Sequence, residues 1–388
     1  MRIVRLANFV HPGSGGLRTA LRELGRGYVR AGHEPVLVVP GERPRDDATA
    51  HGRVITVPGP VVPGLGGYRV LLDRAAVKGV LGRLGPDRVE VHDRSTLRWV
   101  GPWARRAGVP SMMVSHESLD GLLRLFGPGG GVARAAADAL NARTLAAFDR
   151  VVCTTGWAAA EFQRIGGRPV RAPLGVDLDR FSPTRYDPEV RARYAAPGEV
   201  LLLHCGRLSA EKRPRRSLAA LAGLRAAGVP AVLVVAGTGP LDADLRAAAA
   251  EQRLPVHFVG HLRERDPLAA LLASADVVLA PGPVETFGLA ALEALASGTP
   301  VVVSSRSALP EVVGAAGVAA PGDGPGYATA VRRLLSRPVA QRRAAARARA
   351  ESFPWSRAVD AFLAAHEGSP VCSPRATGTH HPPARAAG

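Results

Sequence analysis

Short β-branched runs alternate with longer Ala/Leu/Arg-rich stretches along most of the 388 residues, the pattern of parallel strands joined by helices. Ile3–Ala7, Pro35–Val39, Arg53–Val57, Arg88–His92, Ser111–Ser115 and Arg150–Cys153 predict the strands of a first sheet. Leu17–Ala31, Tyr68–Leu84 and Gly131–Ala147 predict helices between them. The alternation breaks at LGVDLDRFSP, residues 174–183, passes through a charged stretch to about Gly198 and restarts. Val200–Cys205, Ala231–Ala236, Val256–Val259, Asp276–Ala280 and Pro300–Val303 then predict a second sheet. The restart implies two doubly wound α/β domains, residues 1–183 and 184–353, followed by a final helix over 354–367. Residues 368–388 are rich in Pro, Ser, Thr, Gly and His, lack apolar periodicity and predict a disordered tail. Open parallel sheets bind ligands beyond the carboxyl ends of their strands, so the gap between the two domains is the expected site.

Composition narrows the function classes. The chain is 46% hydrophobic and 21% charged, as a globular protein with full cores should be. It carries 50 Lys and Arg against 33 Asp and Glu, a formal charge of +17. Only Lys78 and Lys212 are lysines, and the arginine excess accompanies abundant Ala, Gly and Pro, the bias of GC-rich codons. Aromatics are 5% of residues and show no basic–aromatic stripe, so nucleic acid is not the expected partner. Cys153, Cys205 and Cys372 are too scattered for a disulfide framework or a zinc site, and His380–His381 in the tail reads as incidental. The N-terminus enters a strand without a signal-peptide pattern, and no apolar run reaches the roughly 20 residues that span a bilayer. The expected location is the cytoplasm, with room for peripheral contact with the inner face of the cell membrane.

The richest stretch is VETFGLAALEALASGTPVVV, residues 284–303. Glu285 precedes the turn Thr286–Phe287–Gly288, from which a helix is expected through Leu289 and Glu293 to Ala296. Unpaired amides at that helix start suit an anion. Glu293, eight residues beyond Glu285, falls about two turns further along the same predicted face. One carboxylate can then take sugar hydroxyls and the other a ribose diol. Read blandly, Glu285 is a first-turn acid and Glu293 a solvated residue. The Gly288 turn, the apolar Leu289, Leu292 and Leu295 and the Gly298–Thr299–Pro300 strand entry favour the binding reading.

With Glu285 and Glu293 in a Glu-x7-Glu pattern followed by ALASGTPVVV, the sequence resembles the retaining glycosyltransferases of family 4 over nearly its whole length. The resemblance implies the GT-B fold: two Rossmann-like domains facing a central cleft, with the helix near FPWSRAVDAF crossing back to the first domain. It assigns the acceptor to the first domain and a nucleotide-sugar donor to the second, without metal or cofactor. LLLHCGRLSAEKRP puts Arg207 and Lys212 on the family's diphosphate clamp, and HPGSGGLRTA puts Gly15 and Gly16 on its Gly-Gly pair near the donor. SMMVSHE aligns His116 with a histidine that contacts the transferred sugar, and Asp177, Phe181 and Pro183 match a hinge segment. The implied catalytic group is His116, Arg207, Lys212 and Glu285. The implied donor site adds Gly15, Gly16, Thr286, Phe287, Gly288, Leu289 and Glu293.

The reaction so implied moves a hexose from a nucleotide-sugar to an acceptor hydroxyl with retention. Two fixed cations and helix amides would meet the charge of the departing diphosphate. The leading donor is GDP-mannose and the leading acceptor a phosphatidylinositol-type lipid. The first domain has 26 basic against 16 acidic residues over 1–180, which suits an anionic membrane surface. The Tyr68–Leu84 segment could rest on such a surface or simply pack as a core helix. UDP-sugar donors with soluble acceptors, a nucleotide-sugar 2-epimerase and a non-catalytic sugar-nucleotide-binding partner remain the alternatives.

Overall fold

The computed structural model describes residues 1–10, 15–63, 67–126, 131–322 and 324–368. The expected tail, with Cys372, His380 and His381, lies outside them apart from Gly368. The first sheet comprises β1 (Arg2–Leu6), β2 (Glu34–Gly41), β3 (Arg45–Thr49), β4 (Gly52–Pro58), β5 (Arg88–Val91), β6 (Ser111–Ser115), β7 (Arg150–Cys153) and β8 (Val170–Arg171), in the order β3-β4-β2-β1-β5-β6-β7-β8. Every pair is parallel except β3 with β4. The second sheet comprises β9 (Val200–Cys205), β10 (Ala231–Ala236), β11 (Val256–Gly260), β12 (Val277–Ala280), β13 (Val301–Ser304) and β14 (Gly317–Ala320), all parallel, in the order β11-β10-β9-β12-β13-β14. The strand order reverses beside β1 and beside β9, the two switch points where open α/β sheets form a ligand crevice.

Strand periodicity of two sorts the core into faces. Val4, Leu6, Val36, Val38, Val89 and Val91 pack with Val77, Leu81 and Phe162 on one side of the first sheet. Ile3, Met112, Val114 and Val152 point the other way, onto Leu24, Tyr28, Val359 and Phe362. That second cluster continues through Ala172, Leu174, Val176 and Phe181 to Leu201, Leu203 and the Leu289–Ala296 helix, one apolar layer reaching both sheets.

The chain returns to the first sheet at its end. Phe353 O accepts from Val176 N at 2.9 Å, and the helix Trp355–Glu367 then lies against the first helix, Gly16–Arg30. A Cβ on Gly27 would stand 2.1 Å from Val359 Cγ2, so glycine is what permits this approach. Arg88 Nε donates to His366 O at 3.1 Å, and the His366 ring reaches Glu90 in the core.

Two sequence expectations change. The helix expected from Tyr68 begins at Arg74, because Asp73 accepts from Ala76 N at 2.9 Å and caps it. Residues 68–72 are instead extended: Val61 bridges Arg69, and Leu71 N donates to Asn8 Oδ1 at 2.8 Å. Strands β3 and β8 carry no apolar run that would announce them, and β14, GVAA, has a single β-branched residue. β3 is an exposed edge held in antiparallel register and by Arg53–Asp46 at 2.6 Å.

Candidate functional site

A cleft of about 610 Å3 opens where the carboxyl ends of the two central strand sets face one another, within the range of small-molecule sites. Every residue of the implied catalytic group and donor site lines it: Gly15, Gly16, His116, Arg207, Lys212 and Glu285, with the run Thr286–Leu289 and Glu293.

Its walls are built from element ends. Gly15 and Gly16 begin the first helix, and a Cβ on Gly16 would come 3.9 Å from Leu289 Cδ1, at the start of the Leu289–Ala296 helix. Two helix N-termini therefore meet across the cleft. The first-turn amides of each lack intrahelical acceptors and add positive potential. Gly288, at φ +78°, forms the turn that starts the second of these helices, a conformation that L side chains resist. Glu285 thus sits ahead of the helix rather than on it, which corrects the expectation that Glu285 and Glu293 share one helical face.

Arg207 and Lys212 follow β9. The Arg207 guanidinium lies 5.5 Å from the Tyr68 ring centroid, so an aromatic of the opposite wall holds it from the other side of the cleft. Lys212 ends a short 3-10 turn, Ala210–Lys212, and its Nζ pairs with Glu285 Oε1. Burial pulls the ammonium pKa down, but Glu285 overcomes this and holds it above the ordinary lysine value. Glu285 O accepts from Ala308 N at 2.9 Å, fixing the backbone beneath the pair.

The two walls are tied at Thr286. Its Oγ1 donates to His116 O at 2.6 Å, and its own carbonyl accepts from Thr155 Oγ1 at 2.9 Å. Phe287 is buried and packs edge-on to Phe353, 6.0 Å between centroids. His116 is half-buried, with Nε2 2.7 Å from His92 Nδ1; burial, then His92, pushes its pKa well below the usual histidine value.

Glu293 differs from the solvated residue of the bland reading, being only 6% exposed. Arg265 Nη1 stands 3.0 Å from its Oε1, and Arg265 Nη2 donates to Thr19 Oγ1 on the opposite wall at 3.0 Å. Burial raises the Glu293 carboxyl against the opposing pull of Arg265. The sequence reading missed Arg265 and Tyr68. Arg265 lies in HLRERDP directly beyond β11, so the rule that sites form past the carboxyl ends of strands was the signal available for it. Tyr68 was hidden by the overlong helix expected there.

Chemically, two carboxylates, the guanidinium groups of Arg207 and Arg265, an ammonium and two helix N-termini line one cleft. That set can hold a polyanion and hydroxyl groups together. Among the described residues, no group of three or more His, Cys, Asp or Glu could hold a metal ion. No helix among them is long and apolar enough to cross a membrane.

A family model described as glycosyl transferases group 1 matches residues 199–337, and one described as a glycosyl transferase 4-like domain matches residues 15–175. The chain is 51% identical over 367 residues to a GDP-mannose-dependent α-(1-6)-phosphatidylinositol dimannoside mannosyltransferase of Mycobacterium tuberculosis, covering 94% of this chain and 95% of that one. It is 30% identical over 351 residues to a GDP-mannose-dependent α-mannosyltransferase of Mycolicibacterium smegmatis, covering 88% and 90%. Sucrose-phosphate synthase from Thermosynechococcus elongatus superposes with a TM-score of 0.76 at 22% identity, covering 94% and 98%, and shares the GT-B arrangement of two parallel-sheet α/β domains.

Proposed function

The chain belongs to the group 1 glycosyltransferases and is a hexosyltransferase, and from that premise we propose that it moves mannose from GDP-mannose to a hydroxyl of a phosphatidylinositol-type lipid, with retention at the anomeric carbon. The observation that carries the proposal is the Lys212–Glu285 pair in the same cleft as two facing helix N-termini, in a chain half identical to a mannosyltransferase of that description.

In this reading residues 184–353 hold the donor and residues 1–183 the acceptor. Arg207 and Lys212 take the diphosphate, and the amides of Thr286–Leu289 meet the negative charge that grows as the glycosidic bond breaks. No metal is needed for that neutralisation. Glu285 accepts from sugar hydroxyls while its other partner, Lys212, faces the phosphates. Glu293 takes the ribose diol: a carboxylate accepts several hydrogen bonds, so Arg265 leaves capacity on it. His116 lies against the sugar from the first domain, and glycine at 15 and 16 lets the donor approach the backbone. The basic first domain favours an anionic membrane surface beside the cleft.

The test is transfer of labelled hexose into phosphatidylinositol mannosides from a panel of GDP-, UDP- and ADP-sugars. Mannosyl product from GDP-mannose, with α-configured linkage by NMR, is expected. Product only from a UDP-sugar, or only on a water-soluble acceptor, would overturn the donor or acceptor assignment. Turnover of the donor into an epimer without any acceptor would overturn the transferase reading.

A further inference from the structure

Behind His116 runs a buried line of polar groups that the transfer reaction does not require as such. Glu90, fully buried on β5, is its anchor. Its Oε1 lies 3.1 Å from Arg5 Nε and 2.5 Å from His92 Nε2; its Oε2 takes Tyr28 OH at 2.9 Å and faces His366 Nε2 at 3.1 Å. His92, 3% exposed, then meets His116 at 2.7 Å, and His116 lines the cleft.

We propose that Glu90 and His92 are positioning residues that fix His116 as the tautomer carrying its hydrogen on Nε2, so that Nδ1 receives a hydrogen bond from a substrate hydroxyl. The proposal rests on the reading of the cleft as a sugar-transfer site.

The assignment follows from counting donors. Arg5 can only donate, and so can the Tyr28 hydroxyl toward a carboxylate, so Glu90 is the acceptor at the centre. Burial alone would raise its carboxyl, but Arg5 and then His92 hold it well below the usual range, in the ionised state. His92 therefore presents a hydrogen on Nε2. Burial keeps that ring neutral despite Glu90, which leaves a bare lone pair on its Nδ1. The 2.7 Å contact then requires the hydrogen to come from His116 Nε2. A neutral His116 is left with a lone pair on Nδ1, and among the described residues none donates to it.

The other charged groups around His116 act in the same direction. Arg94 donates to Asn141 Oδ1 at 2.8 Å, to Ser115 Oγ at 2.7 Å and to Glu117 O, and with Arg5 it disfavours a second proton on the ring. A cluster serving packing alone could close on itself inside the core. This one instead runs from the crossover helix, through His366, Glu90 and His92, to a ring at the cleft. The acceptor character at Nδ1 suits a hydroxyl, whose O–H must point somewhere while its oxygen lone pairs stay available.

The test is a long-range 1H–15N spectrum of the whole protein labelled at histidine nitrogens, with His116 and His92 assigned by substitution. The expected result is a protonated Nε2 and a bare Nδ1 at His116 near neutral pH; a hydrogen on Nδ1 overturns the proposal. In transfer assays, His92→Phe fills the ring volume but offers no acceptor, and kcat should fall about tenfold with donor KM nearly unchanged, the effect of one lost hydrogen bond. His92→Asn restores an acceptor near the Nδ1 position and should recover much of that loss. Equal activity of both variants and the parent would also overturn the proposal. Should a variant fail to fold, the spectrum of the parent still decides. Absence of transfer by the parent protein would strike the functional reading and leave the tautomer to be judged by the spectrum.

Discussion

Replacing Lys212 with methionine removes one charge from the cleft and little else. The side chain is 34% exposed and its partner Glu285 21%, so the pair contributes no more than about 1 kcal/mol to folding. Its value to a bound diphosphate is larger. A hydrogen bond to a charged group is worth roughly 1.5–3 kcal/mol, which corresponds to a 10- to 150-fold loss of donor affinity. Loss of the ammonium also leaves Glu285 facing the phosphates without its cation, which pushes the effect toward the upper end. The assay is thermal or urea unfolding with and without GDP. At about 100 times the dissociation constant GDP should add roughly 2.7 kcal/mol to the parent protein. At the same concentration a 30-fold weaker variant keeps only about 0.9 kcal/mol of that protection. Full protection of the variant, with stability of the unliganded protein unchanged, would refute the diphosphate role of this loop.

Glu293→Gln should weaken donor binding about tenfold while leaving turnover at saturation nearly intact, because ribose contacts persist from ground state to transition state; kinetics with the donor varied would show the opposite split if Glu293 acted in chemistry. His204 is pulled down to about 4 by burial and then by Lys212. Above pH 6.5 it is neutral folded or unfolded; between 6.5 and about 4 only the unfolded chain takes the proton, so stability falls with pH, by up to about 3 kcal/mol. Urea unfolding at pH 7.5 and 4.5 should therefore show a smaller difference for His204→Gln, and an unchanged difference would count against it. Gly27→Ala drives a methyl into Val359 and should cost about 1–3 kcal/mol, read as a lowered melting temperature. Adding Val359→Ala should return part of it, and a melting temperature unmoved by Gly27→Ala would show that the crossover helix is not packed as described.

Local chemistry made much of the fold legible. Short, continuous apolar runs identified β6, β7, β9 and β10 residue for residue, and the break at 174–183 separated the strand groups that form the two sheets. β3 stayed hidden because its residues, RDDAT, bury nothing; it is a strand because β4 offers it a register. The final helix could be read from its own apolar spacing, but its seat on the first helix depends on Gly27, which nothing nearby in sequence marks as a contact.

The site divides in the same way. Its motif residues could be named from the chain because anion and hydroxyl binding need particular side chains beside helix starts and strand ends, and those starts are written locally. Arg265 on Glu293, Tyr68 under Arg207 and His92 on His116 join residues 28, 139 and 24 positions apart, across different elements. Sequence by itself determined which groups were available and on which kind of element each stood. Tertiary structure alone decided which charge met which, because Coulomb and hydrogen-bond energies depend on separation in space, and only the packed sheets set that separation.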